Sequence, residues 1–250
     1  MITPEERRAA ARALVTAEPE PPDRPGDTGQ PTGMVGWLRR LCRVAVRCVP
    51  ATGSGVSGMT AGGVQGVVAT SEPSWAALEE TQFALGEGPC LQMFDQRRPD
   101  LEPAVGAATA GRWPAYCAAV RSHGVRAVFA FPLQMGAVRL GMLTVSRTSP
   151  GDLSITSLAQ VLTLAEIAVE TLLDGQEHAE GDRPEDTLDR ALDSQFAVYR
   201  AQGMTMVDLG VSPRDAMVRL RAHACAQDRS LRDVAADVVK GGLRLERDVP

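Results

Sequence analysis

The sequence is poor in the residues that define several classes of protein. Phe, Trp and Tyr make up 4% of the 250 residues, so hydrophobic cores must be built from Val, Leu, Ala and Met. The five cysteines include no C-x-x-C pair, which argues against a disulfide-stabilised secreted scaffold and against a structural zinc site. Lysine occurs once, at Lys240, against 25 arginines, a bias more typical of a GC-rich coding sequence than of a function.

Long apolar segments and an excess of positive charge are missing as well. No apolar run approaches the roughly 20 residues of a membrane helix, and the first eight residues lack the apolar segment of a signal peptide. A net charge of −5 argues against a chain that coats nucleic acid or membrane along its whole length. These absences predict a cytoplasmic protein with no membrane segment. The apolar share of 44% still permits a sizeable core.

Two breaks divide the chain. Residues 17–33 hold five prolines and predict a flexible N-terminal arm over 1–33, with a short helix at about 4–17. Residues 175–186 are acidic and contain two glycines and a proline, which predicts a hinge. The chain is thus predicted to have a folded domain over 34–174 and a second block over 187–250.

The middle block changes period along its length. Its order is predicted as helix, two strands, helices, strand, helix, two strands, helix, which favours an antiparallel sheet with helices packed on it, an α+β domain. The predicted helices cover 34–48, 71–85, a short segment opening at Pro89, 114–124 and 153–173; the strands cover 56–60, 64–70, 99–105, 125–134 and 139–146. Ser71 or Ser74 is predicted to cap the second helix, with Glu79 and Glu80 near its start.

Short motifs in this block, and their order, resemble the GAF sensor fold. They are Gly86-Glu87-Gly88-Pro89-Cys90, Trp113-Pro114, Gly124-Val125-Arg126-Ala127-Val128-Phe129-Ala130-Phe131-Pro132-Leu133 and Leu140-Gly141-Met142-Leu143. The resemblance covers about 140 residues and implies a sensor of a small ligand, a redox state or a partner. GAF domains bind cyclic nucleotides, haem, bilins or metabolites, or only dimerise, so the ligand stays unknown and we name no cofactor.

The C-terminal block is predicted to form three helices. The first runs from Thr187 to about Leu209 and ends at Gly210, and the other two are capped by Ser212 and Ser230. An apolar stripe on the first helix favours pairing of two chains, although packing within one chain would produce the same pattern. The stripe consists of Leu188, Ala191, Leu192, Gln195, Phe196 and Tyr199.

Charge shifts toward positive in this block. Residues 187–248 carry 10 Lys or Arg and 9 Asp or Glu, and 200–232 hold six arginines against three aspartates. Guanidinium groups bind phosphate in bidentate fashion and stack on unpaired bases. The cluster therefore favours RNA binding, whereas the alternative is a solvated charged face.

The same residues resemble the ANTAR domain, a three-helix RNA-binding module of transcription antitermination. The resemblance rests on Ala201-Gln202-Gly203-Met204, Ser212-x-x-x-Ala216, Leu220-Arg221-x-x-Ala224 and Arg229-x-Leu231-x-x-Val234-Ala235. Many ANTAR domains carry lysine in place of Gln202, whose amide can read a base edge but adds no charge. The resemblance implies that RNA hairpins are bound by Arg200, Gln202, Gly203, Arg219, Arg221, His223, Arg229 and Arg232. For His223, the alternative is that the ring only covers the helix.

Catalytic and metal-binding patterns have weak support. Gly53, Gly55 and Gly58 match the dinucleotide-binding spacing without its strand and helix context, so a flexible loop is predicted there. Cys90 suits either a redox sensor at a helix start or a buried small side chain, the commoner state of free cysteine. Cys42 and Cys48 lie on different faces of one helix. We therefore predict no enzyme and no metal site.

Three functions are consistent with these patterns. The favoured one is a homodimeric antitermination regulator in which a GAF domain senses a signal and an ANTAR domain binds hairpins in nascent RNA. The second is a regulatory dimer that binds duplex DNA or protein. The third is a GAF-fold thiol enzyme that uses Cys90 and Cys117.

Overall fold

A computed structural model describes residues 3–19, 33–60, 63–96, 98–178, 187–227 and 229–245. The chain divides into two compact units, Met1–Pro184 and Glu185–Pro250.

A five-stranded sheet forms the centre of the first unit. Its order is β2-β1-β5-β4-β3, and every neighbouring pair is antiparallel. The strands are β1 (Gly53–Thr60), β2 (Gly63–Thr70), β3 (Asp100–Glu102), β4 (Ala127–Met135) and β5 (Val138–Arg147). The predicted α+β architecture is confirmed.

Helices cover both faces of this sheet. They are α1 (Pro4–Ala17), α2 (Met34–Cys48), α3 (Ser74–Leu85), α4 (Pro89–Gln96), α5 (Ala107–Ala110), α6 (Pro114–Ser122) and α7 (Ile155–His178). Side chains of β4 alternate between the faces: Phe129, Phe131 and Leu133 join α2 and α7, whereas Ala130 joins α3 and α4. Two faces buried by helices explain why β4 reads as a continuous apolar run.

Helix α1 packs on the first unit, although residues 1–33 were predicted to form a flexible arm. The helix itself was expected, but its Val15 is buried in the core shared by α2 and α7. Glu18 is buried behind it and pairs with Arg43 Nε at 3.0 Å and with Arg47. Residues 3–19 are therefore part of the first unit, whereas 20–32 lie outside the described residues.

Helix α7 differs from the sequence predictions in its length and in its apolar composition. It continues to His178, past the predicted domain end at 174, while hinge residues 179–186 lie outside the described part of the chain. Its segment Ile155–Leu173 is also the one helix in the described ranges that is long and apolar enough to cross a membrane, against the expectation that none would be. Since 44% of this segment is buried inside the unit, packing in the core accounts for its composition.

The glycines of the dinucleotide-like spacing lie in β1, not in the predicted loop. A Cβ atom on Gly53 would lie 2.1 Å from the Trp75 ring, and one on Gly55 would lie 2.8 Å from Glu79 Cγ. Their lack of a side chain therefore lets α3 lie close to the sheet. Helix α3 also lacks the predicted serine cap, since it starts after Pro73 with no side-chain cap.

The second unit consists of three helices, α8 (Thr187–Leu209), α9 (Pro213–Ala226) and α10 (Leu231–Val239). Both predicted caps are confirmed: Ser212 Oγ accepts from Asp215 N at 3.2 Å, and Ser230 Oγ accepts from Asp233 N at 3.0 Å. The small core consists of Ala201, Leu220, Ala224, Val234, Ala235 and Val238. The side chains of the predicted dimer stripe lie outside the described residues, so dimerisation stays a prediction.

Candidate functional site

The predicted RNA-binding residues of α8 lie beside its buried stripe. Ala201 and Thr205 face the core, Arg200 is exposed, and Gln202 and Gly203 are half-buried. A Cβ atom on Gly203 would have no described atom within 4 Å outside its own stretch of helix. Glycine inside a helix costs about 1 kcal/mol relative to alanine, and the packing of this unit gives no reason for that cost.

The predicted residues of α9 lie on two sides of the helix. Ala216, Leu220 and Ala224 define its buried face. At 100° per residue, Arg219 and Arg221 lie on opposite flanks of that face, about 160° apart. Each is half-buried. The arginine cluster of the sequence is therefore two separate flanks, and no flat surface of α9 presents both groups.

His223 shares the flank of Arg219, and the ring is half-buried. Its Nε2 is buried without a hydrogen-bond partner among the described residues.

Arg229 and Arg232 are the remaining predicted RNA-binding residues. Arg229 Nη2 forms an ion pair with Asp237 Oδ2 at 2.6 Å, so contact with an RNA phosphate has to compete with this carboxylate. The side chain of Arg232 lies outside the described residues.

The GAF-like motif around Gly86 has a structural role. Glu87 Oε2 accepts from the backbone N–H groups of Ala115 and Tyr116, at 2.9 and 3.2 Å, and thereby caps the start of α6. Gly88 has a φ of 132° and lies against Gln82, where a Cβ atom would approach Gln82 Oε1 to 2.6 Å. The motif thus joins α3, α4 and α6, and its conformation is explained without a ligand.

Loss of the Glu87 carboxylate is expected to destabilise the first unit. Glu87→Ala leaves two helix N–H groups without their acceptor and should cost about 1 kcal/mol, as for other lost caps. Glu87→Gln keeps a carbonyl acceptor and should cost less. Urea unfolding followed by tryptophan fluorescence measures this, because Trp37, Trp75 and Trp113 all lie in the first unit. Equal stabilities of Glu87→Ala and wild type would contradict the capping role.

Cys90 has the properties of a buried structural residue. Its side chain is inaccessible, and burial raises the pKa of its thiol well above the usual range. Cys117 is also buried and has a raised pKa. A thiol with a raised pKa is a poor nucleophile at neutral pH. Among the described residues, no group of three His, Cys, Asp or Glu side chains is arranged to hold a metal ion.

A buried polar cluster links α3 to the sheet, and the sequence did not predict it. Glu79, expected near the start of a helix, is only 3% exposed. Thr144 Oγ1 donates to Glu79 Oε1 at 2.6 Å and also lies 3.1 Å from Gly55 O. Gln82 Nε2 donates to Glu79 Oε2 at 3.4 Å, and Gln82 Oε1 accepts from Cys90 N at 3.0 Å.

Burial raises the pKa of Glu79 to about 7, and the Thr144 hydrogen bond opposes this shift. One signal was available in the sequence: Glu79 shares a helical face with Leu78, Gln82 and Phe83, all buried. A carboxylate beside such a stripe is ordinarily assigned to solvent.

Solved structures establish the fold of the first unit. The GAF domain of an Acinetobacter phosphoenolpyruvate-protein phosphotransferase aligns with a TM-score of 0.51 at 10% identity, covering 71% of this chain and 97% of that chain. The corresponding domain from Coxiella burnetii aligns with a TM-score of 0.51 at 14% identity, covering 71% and 96%. The first unit therefore has the GAF fold. Identity this low shows the fold alone.

The second unit is identified by its sequence. Residues 186–239 match the family profile of the ANTAR domain. Comparison with curated proteins gave no match. The chain thus combines a domain of the GAF fold with a C-terminal ANTAR domain, which confirms both resemblances.

Proposed function

We propose that this chain is a one-component regulator of transcription antitermination. Its GAF domain senses a signal, and its ANTAR domain binds hairpins in nascent RNA. RNA binding is supported by Gly203, a glycine in the interior of α8 with open space beside it. Arg200 and Gln202 lie close to it on the same helix. Such a position lets a ligand approach the helix backbone closely. We further propose a cytoplasmic homodimer with no catalytic activity and no membrane contact.

Physical constraints define how hairpins are read. The deep, narrow major groove of A-form RNA excludes side chains, so sequence must be read in loops whose bases are unstacked. In this proposal, Arg200, Arg219 and Arg221 contact phosphates, and the Gln202 amide hydrogen-bonds a base edge. The opposite flanks of Arg219 and Arg221 suit an RNA loop that passes around α9 better than a flat duplex.

Titration of the full chain against tandem RNA hairpins, with duplex DNA as competitor, tests the proposal at several salt concentrations. Arg221→Ala is expected to weaken binding to all hairpins and to lower the salt slope by roughly 0.7, the value for one single-strand phosphate contact. Gln202→Ala is expected to change the preference among loop sequences with little change in slope.

Asp208→Asn serves as a matched control, because Asp208 is exposed on α8 and lies outside the proposed contact set. Preference for duplex DNA would favour the second function considered for the sequence. Wild-type binding by both Arg221→Ala and Gln202→Ala would show that the surface is assigned wrongly.

A further inference from the structure

We propose that the GAF domain responds to protons through Glu79: the side chain is protonated when α3 packs on the sheet, and its ionisation loosens α3 and the start of α4. The proposal goes beyond RNA binding and does not depend on it.

All the hydrogen-bonding groups around Thr144 can be satisfied when Glu79 is protonated. Thr144 lies on the central strand β5, and its hydroxyl has one proton for two nearby acceptors, Glu79 Oε1 and Gly55 O. When Glu79 is ionised, only one acceptor can receive this proton in full. When Glu79 is protonated, it donates to Thr144 Oγ1, and the Thr144 hydroxyl donates to Gly55 O. Protonation therefore satisfies the whole chain of groups.

The groups facing Glu79 do not compensate a negative charge on its carboxylate. Three side chains have a pKa that this charge raises: Cys42 in α2, Cys90 in α4 and Tyr116 in α6. Burial keeps all three neutral. Asp100 in β3 acts on Cys90 with the same sign. No arginine or lysine is among the described groups that act on Glu79. A buried charge without a cationic partner is strongly unfavourable.

Gln82 connects Glu79 to the start of α4. This side chain is 1% exposed, and it bonds Glu79 with its amide nitrogen and the Cys90 N–H with its amide oxygen. Outward movement of α3 would hydrate the carboxylate and remove the acceptor of Cys90 N. Ionisation of Glu79 therefore affects the Gly86–Cys90 motif as well as α3.

The direction of the pH dependence follows from the raised pKa of Glu79. The folded domain binds this proton more tightly than the unfolded chain, whose glutamate has the ordinary value of 4.5. The stabilisation is fully present below that value and is lost as pH rises to about 7. In this window the folding equilibrium constant is expected to fall by up to about tenfold per pH unit from this group, and the decline should end above the window.

Urea unfolding of the full chain, followed by tryptophan fluorescence between about pH 5 and pH 9, tests the proposal. Glu79→Gln should lose the decline that wild type shows. Glu72→Gln, which alters an exposed glutamate beside the same helix, should keep it.

A second measurement covers the case in which a variant does not fold. Infrared spectroscopy of wild type should show the C=O band of a protonated carboxyl group near pH 6 and its loss by about pH 9. Identical pH dependence in wild type and Glu79→Gln, or absence of this band from wild type, would overturn the proposal. Neither result depends on RNA, so either leaves the antitermination proposal untouched.

Discussion

Gly141→Ala is expected to destabilise the GAF domain by about 3 kcal/mol, a large share of the stability of an ordinary domain. Gly141 lies in β5 between Gly58 of β1 and Leu133 of β4. A Cβ atom there would be 2.1 Å from the carbonyl oxygen of Ser57 and 3.2 Å from Gly58 Cα. Because these contacts are backbone atoms of a paired strand, no side chain can rotate away to relieve them. The strands themselves must separate.

Gly111→Ala provides the matched control. Gly111 has an ordinary helical φ of −65°, and its added Cβ would have its nearest contact at 3.5 Å, with Ala108 O. This variant should be as stable as wild type or slightly more stable, since alanine restricts the unfolded chain. Urea unfolding with tryptophan fluorescence compares the two variants. Equal stability of both would contradict the close approach of β1 and β5.

Local signals in the sequence predicted the elements well. The caps at Ser212 and Ser230 were found because a capping side chain and its N–H partner lie three residues apart. The strands were found because alternation and turn glycines are local patterns too. Information of this kind reaches only a few residues along the chain.

Contacts between distant residues were the part that could not be predicted. Glu87 caps a helix 28 residues later, Thr144 bonds Glu79 across 65 residues, and Arg8 pairs with Glu166 across 158. Nothing near Glu79 in the sequence shows that β5 will supply a hydroxyl group to it. The candidate proton-responsive cluster was therefore invisible until the sheet register was known.

The ANTAR resemblance itself contains two kinds of position. Six of the 13 named residues that carried it are buried in the second unit: Ala201, Ala216, Leu220, Ala224, Val234 and Ala235. They explain why the sequence folds as this domain, but a buried alanine or leucine cannot touch RNA. Gln202, Gly203, Arg221 and Leu231 are half-buried, whereas Met204, Ser212 and Arg229 are exposed. The match therefore supports the fold through six buried residues and the proposed RNA contacts through four, Gln202, Gly203, Arg221 and Arg229.

Gly203→Leu is expected to weaken hairpin binding by about tenfold, or about 1.4 kcal/mol. Leucine has open space in the isolated domain and is a better helix former than glycine, so α8 should be retained or stabilised. In the complex, the same side chain would fill the gap through which RNA approaches the helix. The variant thus separates folding from binding, because the two effects have opposite signs. Circular dichroism measures the first and hairpin titration the second.

Two further variants make the result specific. Gly203→Ala adds one methyl group and should stabilise the helix with a smaller loss of affinity, so affinity should fall with side-chain size. Gly242→Leu places the same leucine in the same domain beyond α10, where Asp237 O is the nearest atom at 3.7 Å, and should bind hairpins like wild type. If Gly203→Leu also binds like wild type, RNA does not approach α8 at this position, and the glycine needs a different explanation.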